Sequence, residues 1–103
     1  MKIICCELKT TTAALMRTEI MFSVASARAM GEELIELAYP NDGGKSEKNA
    51  IKALKELKKQ GRIKVYALAR DIEDQSKESE YLMNKYPELK EYREKGESVI
   101  AML

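Results

Sequence analysis

Residues 46–70, SEKNAIKALKELKKQGRIKVYALAR, change from a period of 3.6 to a period of 2 partway along, and that change decides the class of fold. Ser46 offers an N-cap oxygen, Glu47 suits the positive end of a helix dipole, and Ile51, Leu54 and Leu57 recur at helical spacing. Lys58 and Lys59 suit the other end, and Gly61 suits the left-handed residue just beyond it. The spacing predicts a helix over 47–60. Ile63, Val65 and Ala67 then alternate with Lys64, Tyr66 and Leu68, which predicts a strand over 62–70.

Toward the N-terminus, residues 2–8 (KIICCEL) are apolar on both alternating faces and predict a first central strand, covered on both sides. Thr10, Thr11 and Thr12 offer a helix cap. Leu15 to Ser26 fits two elements: a helix apolar almost all round, or a strand in which Ile20, Phe22 and Val24 alternate with Glu19, Met21 and Ser23. The helix is preferred, because helix formers flank both ends and no turn dipeptide intervenes. Met30, Leu34, Ile35, Leu37 and Ala38 extend the helical spacing, with Glu32, Glu33 and Glu36 outside, so helix is expected over 12–38, whole or broken. Pro40 and the Asn-Asp-Gly-Gly run at 41–44 stop it.

Toward the C-terminus, 72–86 and 88–95 are predicted helices separated at Pro87, with Tyr81, Leu82, Tyr86, Leu89 and Tyr92 buried. The apolar residues from Val99 to Leu103 predict a third strand over 98–103. Three short strands (2–8, 62–70, 98–103) flanked by helices make a small layered α/β fold, whose connections are long enough for parallel crossovers. With 103 residues, a single domain is expected.

Apolar residues make up 45% of the chain and charged residues 34%, which suits a core under a solvated surface. Four apolar residues after Lys2 fall short of the ~7–15 of a secretory signal, and Ile20 to Ala27 is far below the ~20 residues of a membrane span. A cytoplasmic protein without a membrane partner is expected. Absence of histidine removes the usual general base, and with it Ser-His and Cys-His nucleophile pairs. Adjacent Cys5 and Cys6 bridge only as a strained vicinal pair, and on a strand they point to opposite faces; buried, reduced cysteines are expected. No metal site, cofactor or catalytic residue is implied.

Charge is uneven although the total is +1: Lys45, Lys48, Lys52, Lys55, Lys58, Lys59, Arg62 and Lys64 face only Glu47 and Glu56 over residues 45–64. At ~100° per residue, Lys48, Lys52, Lys55 and Lys59 fall within about 60° of one another, opposite Ile51, Leu54 and Leu57. Lysine is the ordinary solvated residue of an amphipathic helix. The stripe, extended by Arg62 and Lys64, also suits phosphates or an acidic protein. Ala50 to Tyr66 resembles the last helix and first wing strand of winged-helix DNA-binding proteins, although a Pro-Asn-Asp-Gly-Gly loop replaces the short helix that should precede them. Gly43, Gly44, Lys45 and Ser46 match the end of a phosphate-binding loop, but its first glycine falls on Tyr39 and a helix end stands where a strand is required.

The alternative site is at the carboxyl ends of the strands. Parallel first and second strands would bring Lys9 and Thr11 to the same sheet edge as Arg70 and Asp71, where open α/β sheets bind ligands. Two functions are thus expected in order of preference: a non-catalytic binding protein presenting a basic helix to nucleic acid or an acidic protein, then a small enzyme or ligand-binding domain. Homo-oligomerisation through apolar strand edges is also expected, because few strands leave sheet edges to cover; Val99–Leu103 is too apolar to hang free and is expected to be buried in the sheet, where it is one candidate contributor to the contact.

Overall fold

The computed structural model describes residues 2–72, 76–92 and 97–103. Along them run β1 (Ile3–Glu7), α1 (Ala13–Ala29), β2 (Leu34–Ala38), α2 (Lys45–Lys59), β3 (Val65–Leu68), α3 (Lys77–Lys85) and β4 (Ser98–Met102). Short 3-10 turns cover Ala69–Asp71 and Pro87–Tyr92. The strands form one mixed sheet in the order β1-β2-β4-β3. β1 lies parallel to β2, from Ile3 beside Leu34 to Glu7 beside Ala38. β4 is antiparallel to both β2 and β3, so β1, β2 and β3 all point the same way.

The α/β class is as the residues predict, with four strands instead of three. The extra strand is β2. Gly31, at φ 77°, closes α1 with bonds from the Gly31 N–H to the Arg28 carbonyl and from the Glu32 N–H to the Ala27 carbonyl, the Schellman arrangement that turns the chain out of a helix. Residues 34–38 then enter the sheet with Leu34, Ile35, Glu36 and Leu37 buried. Four apolar residues in five positions satisfy helical spacing as well as a doubly covered strand does, which is why helix was expected there. Leu15–Ser26 is helical, inside α1.

Three further expectations are corrected. β1 is an edge strand, with Cys5 and Glu7 exposed. β4 is indeed buried, but it is bonded on both sides and offers no edge to a second chain. Tyr81 is 48% exposed, on the outer side of α3. Pro87 does separate two helical segments, the second a 3-10 turn; the helix expected at 93–95 and the burial of Tyr92 fall outside the described residues. The winged-helix resemblance does not reach the fold, because β3 joins a sheet built mostly from other parts of the chain.

Two cores lie on the two faces of the sheet. On one, Met16, Ile20, Val24 and Ala27 of α1 and Ala50, Ala53, Leu54 and Leu57 of α2 pack on Ile35, Leu37, Val99 and Ala101. On the other, Leu82 of α3 with Ile72 and Leu89 packs on Leu34, Ala67, Ile100 and Met102. Each fully buried leucine or isoleucine contributes about 1.5–3 kcal/mol. Among the described residues no helix is long and apolar enough to cross a membrane.

Candidate functional site

α2 is amphipathic, and its buried stripe (Ser46, Ala50, Ala53, Leu54, Leu57) fixes which residues face out. Lys48, Lys52, Lys55 and Lys59 are all exposed, as are Arg62 and Lys64 beyond the helix. Ion pairs among the described residues engage other cations: Arg17 with Glu56 at 3.2 Å, Lys58 with Glu78 at 2.9 Å, Lys85 with Glu33 at 2.9 Å, and Arg70 with Glu47 and, at 3.8 Å, Asp71. No carboxylate of the described residues pairs with the four stripe lysines or Arg62. The Arg62 carbonyl accepts from the Arg28 guanidinium, which ties the loop after α2 to the end of α1. Lys64 lies just before β3, at the same end of the sheet as Glu33, and its charge acts on the Glu33 carboxyl.

The strand-end site divides in two. Lys9 and Thr11 follow β1 and Arg70 and Asp71 follow β3, at the same end of the sheet but on its opposite edges, three strand spacings or about 14 Å apart. Lys9 and Thr11 belong with α2: the Asn49 side-chain amide donates to the Thr11 carbonyl at 2.5 Å. There α1 begins at Thr12 without a side-chain cap and without an acidic residue in its first turn, so its N–H groups remain an unneutralised positive end. A groove of about 220 Å³ between the two helices is lined by Ala13, Ala14 and Arg17 of α1 and by Asn49, Lys52, Ala53 and Glu56 of α2, Glu56 being the partner of Arg17.

Arg70 instead clamps Glu47 of α2 through two guanidinium nitrogens. The contact holds the Glu47 carboxyl below the usual carboxylate range. Beside it is a cavity of about 290 Å³ lined by Tyr39, Pro40, Asn41, Gly44, Glu47, Arg70 and Glu97. Tyr39 is only 6% exposed, and its hydroxyl has no hydrogen-bond partner among the described residues. Burial pushes the phenol up from its ordinary value, and the charge of Glu47 adds to the effect.

A strand does precede the 39–44 loop, contrary to the helix end expected there, but the loop holds no phosphate-binding arrangement. The Asp42 carboxylate accepts from the Ser46 N–H at 2.9 Å and from the Ser46 hydroxyl at 2.5 Å, so both groups that a phosphate or its metal would use are occupied. Ser46 draws Asp42 below the usual carboxylate range.

Cys6 packs against the core, whereas Cys5 is exposed, contrary to its expected burial. The Cys5 thiol donates to Glu36 at 3.2 Å, and the Ser98 hydroxyl donates to the other Glu36 oxygen at 3.0 Å. Glu36 is 4% exposed, in the middle of the sheet. A carboxylate in a five-residue apolar run was the signal for this cluster, obscured by the helical reading of 27–38. Tyr39, Glu47 and Glu97 were also missed as site residues, since the strand-to-helix turn that gathers them was not foreseen. Comparison of the chain with protein-family models, curated proteins and solved structures returns no match.

Proposed function

We propose that this protein is a non-catalytic nucleic-acid-binding protein whose contact surface is the outer face of α2 with Arg62 and the uncapped start of α1. The observation that carries the reading is the missing counter-charge: among the described residues Glu56, Glu78, Glu47 and Glu33 pair with Arg17, Lys58, Arg70 and Lys85, and no carboxylate pairs with the stripe lysines. Lys48 to Lys59 covers about 16 Å of helix, with a cation every three or four residues. A regular row of this kind suits the regular charge of a phosphate backbone better than the irregular acids of a protein surface. Thr10, Thr11, Thr12 and the free N–H groups of α1 add hydrogen-bond donors at one end of the row. Lysines and backbone amides position a strand without reading bases, so the binding is expected to be indifferent to sequence.

Self-association and a cytoplasmic setting belong to the same proposal. The surface for self-association is the outer side of α1, where Leu15 is 59% and Phe22 74% exposed.

Fluorescence anisotropy of a labelled oligonucleotide, single-stranded and duplex, over a salt series tests the nucleic-acid reading. The affinity should fall steeply with salt. The double substitution Lys52→Gln, Lys55→Gln should lower the slope of log K against log salt by about 1.5–2 while leaving the melting temperature nearly unchanged. Absence of binding at low salt to either oligonucleotide, or a slope unaltered by the substitutions, overturns it.

A further inference from the structure

We infer that two copies of this chain join through β1, the edge strands pairing antiparallel about a two-fold axis at Cys5 so that the two four-stranded sheets become one. The inference rests on the self-association reading above and names the contact that accompanies the α1 face. β1 ends the sheet order, and its residues IICCE carry none of the residues that protect an edge, neither proline nor lysine nor glycine. Its outward groups follow from the ladder. The Leu8 N–H bonds to the Ala38 carbonyl of β2, so by alternation Ile4 and Cys6 also turn their backbone groups toward β2, and those of Ile3, Cys5 and Glu7 point out of the sheet. In an antiparallel pair centred on Cys5 these positions meet one another. Cys5 faces its own counterpart and Ile3 faces Glu7, each residue giving its N–H and accepting one at its C=O. No two like charges come opposite.

The occupant is a second copy because α1 lies over the same edge. Arg17 and Met21 line the grooves against α2, and α2 sits toward β3, where Lys58 stands over the Tyr66 ring. Leu15 and Phe22 are on the other flank of α1, toward β1, and are 59% and 74% exposed. An unrelated strand added to β1 would leave that flank bare. A two-fold axis normal to the sheet instead brings the second α1 to the same face of the joined sheet. α1 shares its core with Ile4 and Cys6 of β1 and with Ile35 and Leu37 of β2. A helix midway between these strands, themselves about 4.8 Å apart, has its axis about 4.8 Å from the two-fold. The two helices then lie about 10 Å apart, at the upper end of ordinary helix packing. Cys5 is at the middle of β1 and Phe22 near the middle of α1, so one axis serves both contacts.

Sedimentation of the full chain, amide exchange by NMR and oxidation with diamide test the pairing. A dimer is expected, whose Ile3 and Glu7 amides exchange at least about tenfold more slowly than in the dissociated variant Phe22→Glu. Across the axis the two Cys5 Cα atoms would be about 5.5 Å apart, within the span of a disulfide, and the two Cys6 Cα atoms about 8 Å apart, beyond it. Diamide, which takes up the two thiol hydrogens, should therefore link the Cys6→Ser variant into a covalent dimer and leave Cys5→Ser unlinked. Adding Phe22→Glu to Cys6→Ser should slow the linking at least about tenfold, which separates a held pair from chance collision. Glu7→Pro removes an outward N–H at no cost to the β1–β2 ladder and should weaken the dimer about tenfold with helix content unchanged; it decides the matter if Phe22→Glu does not fold. A parent that is monomeric at high concentration overturns the pairing together with self-association itself. A dimer whose Ile3 and Glu7 amides are unprotected, whose Cys6→Ser variant links no faster than Cys5→Ser, or whose affinity survives Glu7→Pro overturns the strand pairing alone and leaves the α1 contact standing.

Discussion

Asp42 and Glu47 secure the first turn of α2 from two sides, one through Ser46 and the other through Arg70. Both carboxyls lie below their ordinary range in the folded chain, Asp42 because Ser46 donates to it and Glu47 because of the Arg70 guanidinium. A carboxyl depressed by folding contributes its full stability above the unfolded value and loses it as the pH falls through the folded one. The acid limb from these two residues therefore lies below about pH 4. The urea midpoint measured against pH should be lower for Asp42→Asn, Glu47→Gln at neutral pH and converge with the parent in acid; parallel curves would assign the acid limb to other groups. Residues of this kind were only half legible in the sequence. Glu47 was read as a helix-dipole partner, which it is, but its bond to Arg70 across 23 positions depends on strand order. Glu36 was read as a solvent-facing helix position; Cys5 and Ser98, which donate to it, come from strands on either side of it, and neither pairing is visible without the sheet.

α1 and α2 end in the same way, each with a glycine at positive φ just past the last turn. Gly61 was recognised because two lysines precede it and a clean alternation follows. Gly31 was passed over because Leu34–Ala38 is apolar on both faces and continues a helical period as readily as it forms a strand. The lysine row was legible for the opposite reason: its periodicity is that of a helix with one face buried. At Gly31 an added Cβ would meet no atom within 4 Å, so the cost of a side chain there is conformational alone. Gly31→Ala should lower the unfolding free energy by about 1 kcal/mol in urea titration, with Gly31→Asn costing less because asparagine tolerates the left-handed region. Equal stability of Gly31→Ala and the parent would show that the chain turns out of α1 without the positive φ.

In the whole molecule the uncovered apolar surface gathers on the outside of α1, next to the edge strand β1. Leu15 and Phe22 are seven positions apart and so share a face, on which Thr18, Ala25 and Ala29 carry no charge. Laid antiparallel on a second copy with Phe22 at the two-fold axis, Leu15 meets the small Ala29 of the partner, so the face is complementary to itself. Sedimentation should show a dimer whose dissociation follows Phe22→Glu, with the helix content unchanged; a parent that stays monomeric at high concentration would remove self-association. The strand order could not be read from the chain, because nothing local to Ser98–Met102 says that it inserts between β2 and β3. That insertion also sets a schedule for synthesis. Ser98 and its partner Glu36 are 62 positions apart, and at the roughly 5–20 residues per second of translation β2 waits about 3–12 s for the strand that will close its second edge. During that interval the nascent chain has β1 on one side of β2 and unpaired backbone on the other, the surface that holdase chaperones shield and neighbouring nascent chains can capture.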